Sequence, residues 1–128
     1  MATQPLIAVV DDEAPVRTML GRLLSLDGYR VVSFSNGEDV LASLAQQAPR
    51  CALLDIHMPD LSGFEVQARL KTLNADIPVV FITASDDLDL ARKVDEVHGV
   101  ALLRKPFSSR ELSDAIQAAL AVPRRDTS

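Results

Sequence analysis

Five short runs of aliphatic and β-branched residues punctuate the chain: Leu6 to Val10, Val31 to Phe34, Cys51 to Leu54, Val79 to Ile82, and Val100 to Leu103. Each is strand-length and almost continuously apolar, the pattern of a strand buried on both faces. Their starts lie 25, 20, 28 and 21 residues apart, enough for one helix between each pair and too little for a second domain. Between the runs the apolar spacing becomes helical: Val16, Met19, Leu20, Leu23 and Leu24; Val40, Leu41 and Leu44; Val66, Leu70 and Leu73; Leu90, Val94 and Val97; Leu112, Ile116 and Leu120. These stripes predict helices that cover the sheet.

Local signals agree. Pro15 suits a first helical turn, Ser62 with Glu65 and Ser108 with Glu111 fit capping boxes, and Asp27-Gly28 and His98-Gly99 mark helix stops. Five strands joined by right-handed helical crossovers predict an α/β fold, a doubly wound five-stranded parallel sheet, for which the common order 2-1-3-4-5 is assumed. In that order the first and third strands are neighbours, and the crevice beyond their carboxyl ends is where such sheets bind ligands.

The strand ends carry the candidate chemistry. Strand one runs into Asp11-Asp12-Glu13, strand three into Asp55, strand four into Thr83 and strand five into Lys105. Carboxylates gathered at one point repel unless a cation intervenes, and a hard divalent ion with oxygen ligands is the usual remedy. Mg²⁺ is the candidate, with Asp12 and Asp55 as direct ligands, Asp11 through water and the His57 backbone carbonyl completing the set. Beside such an ion an oxygen of Asp55 could attack phosphorus to form an acyl phosphate, with Lys105 and Thr83 stabilising the transferred oxygens.

Composition narrows the classes. The chain has 128 residues, 48% hydrophobic and 24% charged, as expected of one ordinary globular domain. A net charge of −5 disfavours a phosphate backbone as partner, so no nucleic acid is expected to bind here. No apolar stretch is long enough for a bilayer and the start lacks a basic region, which predicts a cytoplasmic protein without membrane contact. The lone Cys51 reads as a small buried hydrophobe. Residues 1–121 read as the domain and 122–128, with Arg124-Arg125 after Pro123, as a tail or the start of a linker.

With VVDDE at 9 to 13, LLDIHMPDLSG at 53 to 63, FITAS at 81 to 85 and KPF at 105 to 107, the sequence resembles the response-regulator receiver family from about Pro5 to Ala121. The resemblance implies a flavodoxin-like (βα)5 fold, Asp55 as phosphoacceptor, Asp11 and Asp12 as the acidic pair, Thr83 as switch hydroxyl, Lys105 as the conserved-type lysine and a cis peptide between Lys105 and Pro106. It implies a sensor histidine kinase or histidine phosphotransfer protein as donor, a phosphorylation-dependent homodimer as one output, and a domain that catalyses only its own phosphorylation and dephosphorylation. The family usually has Tyr or Phe three residues before the lysine; Leu102 stands there, and apolar repacking of Leu102 is the expected switch route. His57, two residues after Asp55, and Ser85, two after Thr83, occupy positions that in the family tune how long the phosphoryl group survives. The His57 side chain itself reads as a surface polar group. An Asp-based phosphatase would want a second Asp where His57 stands, and a nucleotide module would want a glycine-rich loop where the acidic run stands.

Overall fold

The computed structural model describes residues 4–73 and 75–123, and Arg124-Arg125 lie outside the described residues. Strands β1 (Leu6–Val10), β2 (Arg30–Phe34), β3 (Cys51–Asp55), β4 (Val79–Thr83) and β5 (Ala101–Arg104) alternate with helices α1 (Ala14–Leu26), α2 (Gly37–Ser43), α3 (Gly63–Thr72), α4 (Asp89–Glu96) and α5 (Ser109–Leu120). All strand pairs are parallel. The order is β2-β1-β3-β4-β5, the one assumed for a doubly wound sheet.

Successive strand residues point to opposite faces, so each continuous apolar run feeds two cores. On one face Ala8, Val10, Leu54 and Phe81 pack with Val40 of α2, Val66 and Leu70 of α3, and Leu90 and Val94 of α4. On the other, Ile7, Val9, Leu53 and Ile82 pack with Leu20 and Leu24 of α1 and Leu112 and Ile116 of α5. The central strands β1, β3 and β4 are buried throughout, while the edge strands β2 and β5 are partly exposed. Cys51 belongs to the α1/α5 core, and burial pushes its thiol up to about 12, which makes it an inert hydrophobe.

Both predicted capping boxes are formed: Ser62 and Glu65 exchange side-chain-to-backbone hydrogen bonds at the start of α3, and Ser108 and Glu111 do so at α5. Gly28, at φ +91°, ends α1 in the left-handed conformation that glycine adopts without steric cost. At α4 the helix stops before His98-Gly99, as these residues marked, but the left-handed residue is not the glycine. His98 is the left-handed residue, at φ 61°, with its N–H donating to Asp95 and that of Gly99 to Val94. Glycine is needed at 99 for space: a Cβ there would lie 2.7 Å from Val94 Cγ1 and 2.8 Å from Phe81 Cε2.

Candidate functional site

Parallel pairing turns every strand's carboxyl end toward one rim, and register decides which side chains meet there. Val10 lies opposite Leu54, so Asp11 and Asp55 leave β1 and β3 side by side. Asp55 pairs with Ile82 and Thr83 with Arg104, which places the Thr83 hydroxyl and Lys105 one step further along the same rim. Close packing finishes the loop: a Cβ on Gly63 would sit 2.7 Å from the Asp55 carbonyl oxygen, so the first residue of α3 rests directly on the backbone of Asp55.

Asp11 and Asp55 are buried and Asp12 is exposed. One carboxylate oxygen from each lies within 4.8 Å of the others. Asp11 Oδ1 accepts the Glu13 N–H at 2.9 Å, which fixes the turn into α1, and Asp55 Oδ1 accepts the His57 N–H at 3.0 Å. The Lys105 ammonium donates to Asp11 Oδ2 at 3.1 Å and Glu13 Oε1 at 3.2 Å, and stands 3.9 Å from Asp55 Oδ2. Burial raises the Asp55 carboxyl from 3.8 to about 6; the His57 N–H and Lys105 oppose the rise, while Asp11 and Asp12 add to it. Burial disfavours the charged Lys105 ammonium, but its hydrogen bond and attraction to Asp11 outweigh that and hold its value above the ordinary one.

The donor set fits Mg²⁺. Ligands on one such ion, at about 2.1 Å each, lie no more than about 4 Å apart, so the three oxygens need only a small convergence. All are carboxylates, the chemistry a hard ion selects, and one is exposed where water can complete the shell.

The Thr83 hydroxyl is fully buried, accepts the Ser85 N–H at 3.0 Å and lies 3.1 Å from His57 Nε2. Leu102 is half-buried against the core that contains Phe81, Leu90 and Val94. The peptide between Lys105 and Pro106 is cis, as the resemblance implied.

Asp11, Asp12, Asp55, His57, Thr83 and Lys105 stand on this rim, Leu102 lies within the sheet opposite Phe81, and three contacts in the fold were not foreseen. The His57 ring, read as a surface group, reaches Thr83 although the residue is otherwise exposed. Arg104 donates to the backbone carbonyls of Ser85 at 2.8 Å and Asp87 at 3.1 Å, tying β5 to the loop before α4. Gln67, buried on α3, donates to the Val97 carbonyl at 2.8 Å and so holds the end of α4. Arg104 and Gln67 bind main-chain carbonyls across the fold, and no spacing in the sequence marks such contacts.

No helix among the described residues is long and apolar enough to cross a membrane. The family model described as the response regulator receiver domain matches residues 7–117. Nodulation protein W of Bradyrhizobium diazoefficiens is 35% identical over 92% of this chain and 52% of its own length. Response regulator protein TodT of Pseudomonas putida is 37% identical over 89% and 50%. The chain thus spans about half the length of these relatives. Sporulation initiation phosphotransferase F of Bacillus subtilis is 30% identical over 87% of this chain and 90% of its own. Among solved structures, FixJ-N superposes with a TM-score of 0.88 at 29% identity, covering 98% of this chain and 100% of that one. With the rim geometry, the motifs and these matches in agreement, the chain belongs to the response regulator receiver domains of two-component signalling.

Proposed function

We propose that Asp55 accepts a phosphoryl group from a sensor histidine kinase or a histidine phosphotransfer protein, in the cytoplasm, and that the resulting change is read by a partner, an attached segment or a second copy of the chain. The observation that carries this reading is the convergence of Asp11, Asp12 and Asp55 on one point with the Lys105 ammonium beside it. An Asp55 oxygen attacks phosphorus, the bond from phosphorus to the donor's imidazole nitrogen breaks, and the imidazole leaves with a proton from solvent. Mg²⁺, held by Asp11, Asp12, Asp55 and the His57 carbonyl, would supply charge neutralisation for the incoming phosphoryl oxygens. Lys105, 3.9 Å from Asp55 Oδ2, is placed to exchange part of its contact with Asp11 and Glu13 for an equatorial phosphoryl oxygen. Thr83 offers a hydroxyl donor to another.

Turnover of outside substrates is not expected, because an Asp-based phosphatase needs a proton donor for its leaving group where His57 stands, and that ring is engaged with Thr83. The reaction is therefore confined to the domain's own phosphorylation and the hydrolysis that ends it. The test is intact mass after incubation with acetyl phosphate or phosphoramidate and Mg²⁺. Wild type should gain one phosphoryl group and Asp55→Ala none. A gain that persists in Asp55→Ala would move the acceptor elsewhere.

A further inference from the structure

His57 touches two strand ends at once: its N–H donates to the Asp55 carboxylate at 3.0 Å, and its ring meets the Thr83 hydroxyl at 3.1 Å. The hydroxyl is shut off from solvent, and its partners among the described residues are this ring and the Ser85 N–H. A hydroxyl has one proton and two lone pairs. One lone pair takes the Ser85 N–H, and where the single proton points determines what Thr83 can do. The Ser85 side of the arrangement is held, since Arg104 binds the carbonyls of Ser85 and Asp87. The ring, on an exposed residue, is the side that can give way.

We propose that His57 is a positioning residue that latches the switch hydroxyl: its Nε2 is unprotonated and accepts the Thr83 O–H, so the proton faces the imidazole until a phosphoryl group on Asp55 draws it away. This rests on Asp55 being the phosphoacceptor. The latch sets a threshold for switching, because a phosphoryl oxygen must displace one hydrogen bond before it gains another. A neutral hydrogen bond of ordinary net strength makes the latched state favoured by about fivefold. Binding at Asp55 and release of the ring are coupled reciprocally, so whatever loosens the latch tightens the response to phosphoryl by the same factor.

Side-chain length provides the variants. A Gln carbonyl can stand where Nε2 stands and accept the same proton, whereas Asn stops a bond short; the main-chain carbonyl is the same in all three. Beryllofluoride with Mg²⁺, a phosphoryl mimic, should bind His57→Asn about fivefold more tightly than wild type, and His57→Gln should return toward the wild-type value. Independently, long-range ¹H–¹⁵N spectra of the unmodified protein should show the proton on Nδ1 and an Nε2 resonance that moves in Thr83→Val. Equal beryllofluoride affinity in wild type and His57→Asn, or a proton on Nε2, overturns the latch. If wild type binds no beryllofluoride, the phosphoacceptor reading has failed instead, and the imidazole spectra still decide whether the ring accepts the Thr83 proton.

Discussion

At the β1 and β3 end of the rim, the carboxylates of Asp11, Glu13 and Asp55 meet one ammonium with Asp12 close by, and Asp55 is raised by burial, with Asp11 and Asp12 adding to the rise. On the adjoining strands β4 and β5, Thr83 has a donor and a ring at hydrogen-bond distance and Arg104 has two carbonyls. The crevice holds an excess of like charge, while the β4 and β5 side holds a matched network. An unbalanced cluster has affinity for whatever balances it, on the proposed reading a divalent cation whose charge then lets an anionic phosphoryl group approach. A matched network changes only when something outcompetes one of its bonds. On the proposed reading, the attack on phosphorus belongs to the first region, and Thr83 in the second joins it only by giving up a bond it already has.

The sharpest break of this contrast is Lys105→Met, which removes the cation from the crevice and leaves the Thr83 network intact. Loss of one preorganised charge donor costs about a hundredfold or more in rate. Phosphorylation by acetyl phosphate, followed by intact mass over time, should slow by that factor. An unchanged rate would show that Lys105 serves only to neutralise Asp11 and Glu13.

The two regions also differ in how far the sequence disclosed them. Asp11, Asp12, Asp55 and Lys105 were legible because each lies at or just past the end of a strand, and parallel register sends every strand end to one place. The strands fell within a residue of expectation for the same reason: a run such as Val79 to Ile82 can satisfy its backbone and bury its side chains only inside a sheet. The network was not legible. Whether the His57 ring turns to Thr83 depends on the path of the loop after β3, and that path depends on Gly63 resting on Asp55. His98-Gly99 likewise marked the end of α4 without showing which of the two would adopt the left-handed turn, which falls on His98, while Phe81 and Val94 crowd position 99.

The next effect concerns that support. Gly63→Ala would place a methyl group 2.7 Å from the Asp55 carbonyl oxygen and 3.1 Å from Ile56 Cα, both main chain that cannot swing aside. Overpacking of this kind costs about 2 kcal/mol. Chemical denaturation should show the loss, with phosphorylation impaired beyond it because Asp55 itself is displaced. If stability falls while the phosphorylation rate is preserved, the loop can relax without moving the acceptor.

Removing charge from the crevice should act in the opposite direction. Asp55 has a folded value of about 6 against 3.8 in the ordinary state, so between those values the folded protein holds a proton that the unfolded chain has lost. Stability from this group is present below about pH 4 and is lost as pH rises through 6. The upper bound is about 3 kcal/mol, and water at the rim beside exposed Asp12 lowers it to roughly 1 to 2 kcal/mol. Asp55→Asn keeps the acceptor for the His57 N–H and removes the charge. In chelator it should be more stable than wild type at pH 7, with the difference shrinking to nothing near pH 4. Added Mg²⁺ should stabilise wild type and close the gap. A difference independent of pH would mean that the Asp55 charge is not the source.

The smallest effect is expected on the signalling side, at Leu102. The side chain is half-buried on the sheet face that carries Phe81, Leu90 and Val94. Truncation of a fully buried leucine costs about 2 to 5 kcal/mol, and a half-buried one at an edge strand should cost about 1 kcal/mol. That cost alone says nothing about switching. A residue takes part in a switch only through a difference in its contacts between the two states, so the informative quantity is how much the phosphoryl mimic stabilises each variant. If drawing Thr83 toward Asp55 opens space that Leu102 then fills, Leu102→Ala forfeits contacts in the switched state that the resting state never had. The beryllofluoride-induced rise in the denaturation midpoint should shrink accordingly, by the equivalent of a twofold to threefold loss of affinity, roughly 0.5 kcal/mol. If the rise is the same in wild type and Leu102→Ala, Leu102 is ordinary core. The signal would then leave Thr83 through Ser85 and the loop that Arg104 holds to β5, and Arg104→Ala, which frees that loop while keeping the aliphatic core, would be the variant whose response to the mimic changes.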